Sequence, residues 1–423
     1  MGNKIVILGA GFAGLQLARR LKGKDFSITL IDQYNFHQFQ PLLYQVATGR
    51  LEPSAVSFPL RKVFQKDPHI HVRIAKVNNV DPVLQLVRTT EGDFSYDHLV
   101  IATGCTSNFF GNKNFEQYAF PMKSTTEAIA LRNRILLNFE DALSAPPDEL
   151  EGIMNIVIAG GGPTGVELAG SLAEMKKNVL PKDYPDMDFS RLTVYLVEGM
   201  AHTLQNMSGQ SQEASQRYLE KMGVQVMLNT LVQDYDGKTI LLKDGRTIKT
   251  RTMIWTAGIM GNVPEGIPKD VVVRGNRITV DVYNRVKGYN NVFAIGDIAY
   301  MENEDYPKGH PQLANVANNQ AKTLASNFTR QSKGQPLQEF KYKNPGTMAT
   351  VGKRKAVVDL PFLSFQGTLA WLTWMFLHLM LILSVKNKLI IFINWAISYF
   401  TNDTTLRLIL LPTKKQIEIA NDR

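Results

Sequence analysis

The order of apolar runs and amphipathic stretches predicts one strand–turn–helix plan that occurs twice. Residues 3–8, with the run Lys4-Ile-Val-Ile-Leu8, read as a buried parallel strand. Residues 12–22 put Leu15, Ala18 and Leu21 on one helical face, and 27–32 (Ser27-Ile-Thr-Leu-Ile-Asp32) form the next strand, completing a βαβ unit. An aromatic and amide-rich connection at 35–49 reads as a site loop. Strand-like pieces continue through 72–77 and end at 97–104, where an apolar run meets small residues. A helix is expected over 125–143, broken by Ala145-Pro-Pro-Asp148. The plan then restarts with strand 155–160, helix 164–180, a polar insertion with two prolines at 181–190 and strand 192–198. Residues 252–258 again end a strand in small residues. A short strand follows at 292–297 and a helix around 312–329. The pattern is that of a remote internal duplication, without short repeats or low-complexity tracts.

Both strand–helix turns are glycine-rich: Gly9-Ala-Gly11-Phe-Ala-Gly14 and Gly160-Gly-Gly162-Pro-Thr-Gly165. In a dinucleotide fold the first glycine makes the tight turn, the second admits the pyrophosphate and the third allows close helix–strand packing. The phosphates then meet free N–H groups at the helix N-terminus. One such match is weak, but strand–turn–helix context at both is confirming. Each second strand closes on an acid, Asp32 and then Glu198, suited to a ribose diol. Glu198 would repel a 2′-phosphate, and no arginine follows in Glu198-Gly-Met-Ala-His-Thr203, which favours NADH over NADPH. Ile295-Gly296-Asp297 adds an aspartate that can bond flavin hydroxyls. Two nucleotide sites in one chain suggest cofactors placed face to face for electron transfer.

At 423 residues the chain is long enough for two or three domains. A net charge of +9 favours an anionic partner, nucleic acid or an anionic membrane. No arginine-rich arm, zinc-finger spacing or aromatic RNA-binding motif is present, so nucleic acid is not expected. The single cysteine, Cys105, excludes a disulfide pair, a CxxC redox centre or an iron–sulfur ligand set within one chain, and no metal site is expected. With no partner to pair with, it reads as a small buried thiol. The first glycine motif begins at Gly9, which leaves no room for a signal peptide, so cytoplasmic nucleotide domains are expected.

The set Gly9–Gly14, Ala102-Thr103-Gly104, Gly160–Gly165 with Val166-Glu167, Trp255-Thr-Ala257-Gly258 and Ile295-Gly296-Asp297 resembles the two-dinucleotide-domain flavoprotein disulfide reductases. Gly161-Gly-Pro-Thr-Gly-Val-Glu-Leu-Ala-Gly170 and the C-terminal tail are similar to the type II, non-proton-pumping NADH:quinone oxidoreductases. The resemblance covers essentially the whole chain. It implies FAD at Gly9, Gly11, Gly14, Asp32, Val77, Thr103, Gly104, Gly296 and Asp297. It implies NADH at Gly160, Gly162, Gly165, Glu198, Ala257 and Gly258. Glu167 matches a family glutamate near the nicotinamide and Gln45 a glutamine beside flavin and quinone, giving two candidate catalytic residues. The family's quinone motif, Ala-Gln-x-Ala-x-Gln, reads here Ala314-Asn315-Val-Ala-Asn-Asn319. Asparagine keeps the amide but is one methylene shorter, so the contacts of Asn315 and Asn319 with a quinone are in question, and Gln312 and Gln320 flank them as substitutes. His37 is weighed as a proton donor and set aside as structural.

Between Phe362 and Val385 no residue carries a formal charge, and a second apolar run, 389–400, follows Lys386-Asn-Lys388. A spanning helix needs about 20 apolar residues, which 362–385 could supply. Basic residues flank both ends and set no orientation. The competing reading is a pair of interfacial helices with Trp371, Trp374 and Trp395 at headgroup depth and lysines on anionic lipid, which the family favours. A homodimer interface is a third use of the same residues.

The reading is an α/β fold of two Rossmann-like domains in a glutathione-reductase-like arrangement plus a C-terminal membrane-associated helical region. The expected boundaries are 1–115 with 276–345 for FAD, 116–275 for NADH and 346–423 for membrane anchoring. The expected function is hydride transfer from NADH to FAD and two-electron reduction of a membrane quinone, without proton pumping, at the cytoplasmic face of the cell membrane. The alternatives are an NADH-sensing flavoprotein, a sulfide:quinone oxidoreductase, which needs a cysteine pair, or a ferredoxin reductase, which lacks a Trp-rich tail.

Overall fold

Two parallel sheets carry the two glycine turns. The computed structural model describes residues 3–404 and 406–413; the Lys414-Lys415 pair and the end of the expected anchoring region lie outside them. The first half runs β1 (Asn3–Leu8), α1 (Phe12–Leu21), β2 (Phe26–Asp32), α2 (Leu43–Ala47), β3 (Ile70–Ile74), β4 (Val77–Asp81) and β5 (His98–Ile101). The next part runs β6 (Phe120–Pro121), α3 (Thr125–Ala142), β7 (Asn155–Ala159), α4 (Pro163–Asn178), β8 (Thr193–Val197), α5 (Gly209–Lys221), β9 (Gln225–Met227) and β10 (Thr252–Trp255). The chain then adds β11 (Val292–Ala294) and α6 (Ala314–Gln331). It ends with a meander β12 (Thr347–Gly352), β13 (Lys355–Leu360), β14 (Leu363–Gln366) and two helices, α7 (Thr368–Leu381) and α8 (Val385–Thr401).

The first sheet has the order β11-β5-β1-β2-β3 and the second β6-β10-β7-β8-β9, every pairing parallel. Parallel strands covered on both faces are apolar throughout. Accordingly β5 and β7 are buried along their whole length. The first sheet draws β11 from far down the chain, where it pairs with β5. Helix α6 packs along α1, and Ala317, Ala321 and Phe328 join the core beneath the sheet.

Two stretches differ from the sequence expectation. The strand expected over 72–77 is split: β3 leaves the sheet at Ile74, and Val77 opens β4, which pairs antiparallel with Leu86–Thr89. The candidate spanning segment 362–385 is no single helix. Its first residues form β14, Gly367 turns the chain at φ +85°, and α7 is only 14 residues long. Among the described residues no helix is long and apolar enough to cross a membrane.

The C-terminal meander is seated on the second nucleotide domain. Strand β12 lies across α4 and β13 across α5. The contact is close enough that a Cβ at Gly170 of α4 would lie 1.6 Å from the Val351 carbonyl oxygen. The fit therefore needs a glycine at this helix position. Gly170→Ala is expected to cost about 1–3 kcal/mol by forcing the meander off the helix. A urea midpoint equal to that of the parent protein would show that the meander yields freely.

Candidate functional site

The first glycine turn is shaped by backbone contact. Gly9 has φ +97°, and a Cβ there would meet the Ala102 carbonyl oxygen at 2.4 Å. A Cβ on Gly14 would lie 1.8 Å from the Gly9 carbonyl oxygen, whereas Gly11 faces open space. The second turn repeats these relations: Gly160 has φ +110° against Ala257 N, Gly165 lies against the Gly160 carbonyl, and Gly162 is open. Neither helix start, at α1 or α4, is capped by a side chain. Each turn thus presents a wall-free glycine and unbonded helix N–H groups, the fit a pyrophosphate requires.

The two acids close their own turns. Asp32 Oδ2 accepts from Ala10 N–H at 2.6 Å and Oδ1 from Tyr34 N–H at 2.8 Å. Glu198 Oε2 accepts from Gly161 N–H at 2.5 Å and Oε1 from Met200 N–H at 2.7 Å. Burial pushes the Asp32 carboxyl up from its ordinary value, against the lowering effect of the backbone donors. His37 lies beneath the first turn, buried, with Nδ1 3.1 Å from the Ala10 carbonyl and its ring edge-on to Phe12. Burial holds it below the ordinary histidine range. It supports the turn.

Of the remaining candidates of the first domain, Gly296 and Asp297 lie at the approach to α6, whereas Val77 stands at the head of β4. The Thr103 hydroxyl donates to the Asn262 carbonyl at 2.7 Å, and Asn262 N–H donates to the Gly104 carbonyl. The Cys105 thiol donates to Asp297 Oδ2 at 2.9 Å, and burial raises its pKa to about 12. Gly296, at φ +78°, faces Ala13 and Ala317. Gln312 Nε2 donates to the Asp297 carbonyl at 3.0 Å. Gln320, considered only as a flanking amide, is buried and accepts from Gly296 N–H at 2.7 Å. Asn319 Nδ2 donates to the carbonyl and Oδ1 of Asn315 one turn earlier. That pair and Ala314 occupy the first two turns of α6. In the second domain Ala257 abuts Gly160, and Gly258 packs under the Phe110 ring.

Gln45 and Glu167 belong to a different place, a cavity of about 450 Å³ between α2, α4, the meander and the C-terminal helices. Gln45 is buried; its Oε1 accepts from the Trp395 indole N–H at 2.7 Å and its Nε2 donates to the Tyr44 hydroxyl at 2.8 Å. Glu167 is buried one helical turn beyond the second glycine loop, and its Oε1 accepts weakly from Thr350 N–H at 3.4 Å. Desolvation raises its pKa to about 8, only partly offset by Thr350 and the nearby Trp374 indole, whose N–H approaches without closing a hydrogen bond. Burial therefore favours the protonated form of Glu167. Two contacts bridge the domains here: Thr48 Oγ1 lies 2.8 Å from Ser171 Oγ, and Arg50 pairs with Glu174.

Trp374 and Trp395 correct an expectation. Both are buried, stacked over the cavity with His378, and do not reach outward to headgroup depth; only Trp371 remains half-exposed. The outward faces of α7 and α8 carry Leu369, Phe376, Leu389, Phe392 and Phe400 instead, each more than half exposed. Sequence reasoning also missed Trp395 as the partner of Gln45, because an evenly apolar helix gives no facing signal.

Comparisons with known proteins bear on the family and the fold. Residues 3–321 match the pyridine nucleotide-disulphide oxidoreductase family, and 345–402 match the NDH2 C-terminal domain. The chain is 35% identical to the type II NADH:quinone oxidoreductase NdhA of Mycobacterium tuberculosis, over 94% of this chain and 87% of that one. The chain belongs to the type II NADH:quinone oxidoreductase family. A second mycobacterial relative, Ndh, is 33% identical over 94% of this chain and 88% of its own. The fold matches the structure of NDH2 from Plasmodium falciparum in complex with NADH, at TM-score 0.87 and 20% identity, covering 97% of this chain and 100% of that one. The sulfide:quinone oxidoreductase of Aquifex aeolicus shares the fold at TM-score 0.70 and 18% identity, over 97% and 96% of the two chains. A single cysteine, Cys105, separates this chain from disulfide chemistry.

The raised pKa of Glu167 has a stability consequence. Between its ordinary 4.5 and about 8 the folded state holds a proton that the unfolded state has lost. Stability from this group therefore falls as pH rises, by at most about 1.4 kcal/mol per pH unit. Glu167→Gln should match the parent near pH 4.5 and become the more stable of the two by pH 8. Parallel stability curves would contradict a protonated Glu167.

Proposed function

We propose that this chain holds FAD on its first glycine turn, oxidises NADH bound on its second, and reduces a membrane quinone without pumping protons. The single observation that carries the reading is the pair of uncapped glycine turns, each closed by its own carboxylate, with Gln45 and Glu167 at the domain boundary beyond the second. Bound flavin supplies the chemistry, taking a hydride from NADH and passing two electrons to the quinone.

The residues place and tune. Residues 1–115 and 276–345 form the FAD domain, 116–275 the NADH domain, and 346 onward the anchoring region. On the FAD side, Gly9, Gly11 and Gly14 open the helix start to the pyrophosphate, Asp32 takes the ribose, and Val77, Thr103, Gly104, Gly296 and Asp297 surround the rest. Gly160, Gly162, Gly165, Ala257 and Gly258 admit NADH, and Glu198 takes its ribose. Gln45, its amide fixed by Trp395 and Tyr44, presents its remaining N–H to the reacting ring. Gln312, bonded to the Asp297 carbonyl, and Ala314, Asn315 and Asn319 in the first turns of α6 are the residues a quinone ring would meet. Glu167, whose protonated form burial favours, sits with Gln45 in the separate cavity and can donate a hydrogen bond or a proton there.

A carboxylate at Glu198 repels the extra phosphate of NADPH. Steady-state oxidation with a short-chain quinone should favour NADH over NADPH by about tenfold or more, and Glu198→Gln should narrow the gap. Equal use of both nucleotides, or no turnover with any quinone, would contradict the assignment.

The apolar outer faces of α7 and α8, rimmed by Lys386 and Lys388, suit attachment in the plane of a bilayer without spanning it. The reading places the protein on the cytoplasmic face of the cell membrane, where NADH is available and the quinone is soluble. Phe376 and Phe392, 61% and 55% exposed, test it. A Phe376→Asp/Phe392→Asp variant should lose binding to vesicles of mixed neutral and anionic lipid by about tenfold or more. Retained vesicle binding, with a dimer that becomes monomeric in the variant, would show that these faces close a homodimer instead.

A further inference from the structure

Hydride transfer changes the charge of a flavin site. A hydride carries two electrons and one proton, so a flavin that accepts it gains one negative charge: NADH + FAD → NAD⁺ + FADH⁻. Resting on the function proposed above, we propose that the Lys123 ammonium is the countercharge for the reduced flavin, and that Cys105 is the spacer that keeps this ammonium from pairing with Asp297.

Three side chains from distant parts of the chain meet here. Lys123 Nζ lies 3.4 Å from Cys105 Sγ, and the Cys105 thiol donates to Asp297 Oδ2 at 2.9 Å. Lysine has only donors. The sulfur therefore accepts from the ammonium while its own hydrogen points at the carboxylate. One sulfur atom stands between the two charges. Cys105 directly follows Thr103 and Gly104, and Asp297 follows Gly296; these are residues assigned above to the flavin. Lys123 comes from the other side of the proposed domain boundary, two residues before α3.

The groups that could neutralise the ammonium are engaged elsewhere. Glu127 Oε2 accepts from the backbone N–H groups of Lys123 and Ser124, at 2.6 and 2.9 Å, in the capping box of α3. Asp297 has a second cation beside it. Burial pushes the Arg277 guanidinium below the ordinary arginine range, and the Asp297 carboxylate works against that. Among the described residues Lys123 Nζ forms no ion pair. The cluster thus holds two cations and one carboxylate, and the half-buried Lys123 carries the excess. The Lys123 carbonyl accepts from Gln40 Nε2 at 3.2 Å, which holds the stem of the side chain in place.

The thiol suits the spacer's task because it stays neutral. Burial, with the Asp297 charge next to it, raises its pKa to about 12. A thiolate would itself cancel the ammonium. A serine hydroxyl both donates and accepts and would bridge in the same way. Alanine would bridge nothing, and the flexible lysine stem would carry its ammonium onto Asp297. A positive charge at the site stabilises the reduced, anionic flavin more than the neutral oxidised one.

The test uses full-length, FAD-loaded protein and the variants Lys123→Met, Cys105→Ala and Cys105→Ser. The two-electron midpoint potential is read by anaerobic spectral titration against a dye of known potential. Lys123→Met should weaken binding of reduced flavin relative to oxidised flavin about tenfold, a fall of about 30 mV for a two-electron couple. Cys105→Ala should fall in the same direction, and adding Lys123→Met to it should lower the potential no further. Cys105→Ser should keep the parent value. A residue that only supports the fold would weaken both forms of the flavin alike and leave the potential in place. An unchanged potential in Lys123→Met or in Cys105→Ala would overturn the inference. So would a fall in Cys105→Ser as large as in Cys105→Ala, since the thiol would then do more than separate two charges. A parent protein that takes up no FAD, or whose flavin NADH does not reduce, would overturn the functional reading, and this inference with it.

Discussion

The constraint on which both glycine turns depend is backbone against backbone. Helix α1 begins so near β1 that Gly14 touches the Gly9 carbonyl, and α4 stands in the same relation to β7 through Gly165 and Gly160. That approach directs each helix start, with its unbonded N–H groups and positive dipole end, at the tip of the sheet. It also brings the acid closing each second strand back onto its own turn. The nucleotide sites follow from this one packing distance, and side chains larger than hydrogen would open both.

Helix α4 links the sites to the rest of the protein. Its N-terminus carries the second glycine turn, the proposed pyrophosphate site, and its next turn carries Glu167. Its middle admits the C-terminal meander at Gly170, and its far end reaches solvent at Lys177 and Asn178. Because β12 is keyed to α4, the two apolar helices that follow are held against α2. There Trp395 bonds Gln45, and Asn387 at the start of α8 donates to the Ala55 carbonyl. The apolar exterior and the cavity that holds Gln45 and Glu167 are thus on opposite faces of the same two helices. A displacement of α8 would move the amide of Gln45.

How much the sequence disclosed depended on whether a residue's role is local. Gly9, Gly14, Gly160 and Gly165 are dictated by their own turns, so both Rossmann-like units were legible from spacing alone. Asp32 and Glu198 were legible because strand ends fix their position. The return of β11 to the first sheet was suggested only by resemblance, since a short apolar strand names no partner. Trp374 and Trp395 were misread. Helices α7 and α8 are apolar around most of their circumference, so no period says which side is inward, and tryptophan suits either a core or an interface. The segment 362–385 misled for a related reason: apolar composition does not register the turn at Gly367 that ends a strand there. The Trp395–Gln45 bond and the Thr48–Ser171 contact join residues distant in the chain, and one sequence carries no trace of them. Asn315 and Asn319 were flagged as departures from the family motif. The structure adds that Asn319 donates back to Asn315 one turn earlier on the same helix, a contact the motif itself does not announce.

The account stands on a nicotinamide-reducible flavin that a quinone empties. The most direct measurement is anaerobic stopped-flow absorbance of the FAD-loaded protein through one cycle. NADH should bleach the oxidised flavin band, and a subsequent mix with short-chain quinone should restore it fully, with NAD⁺ and quinol formed in equal amounts. A protein that binds no flavin on reconstitution, or whose NADH-bleached band stays bleached in excess quinone, would contradict it.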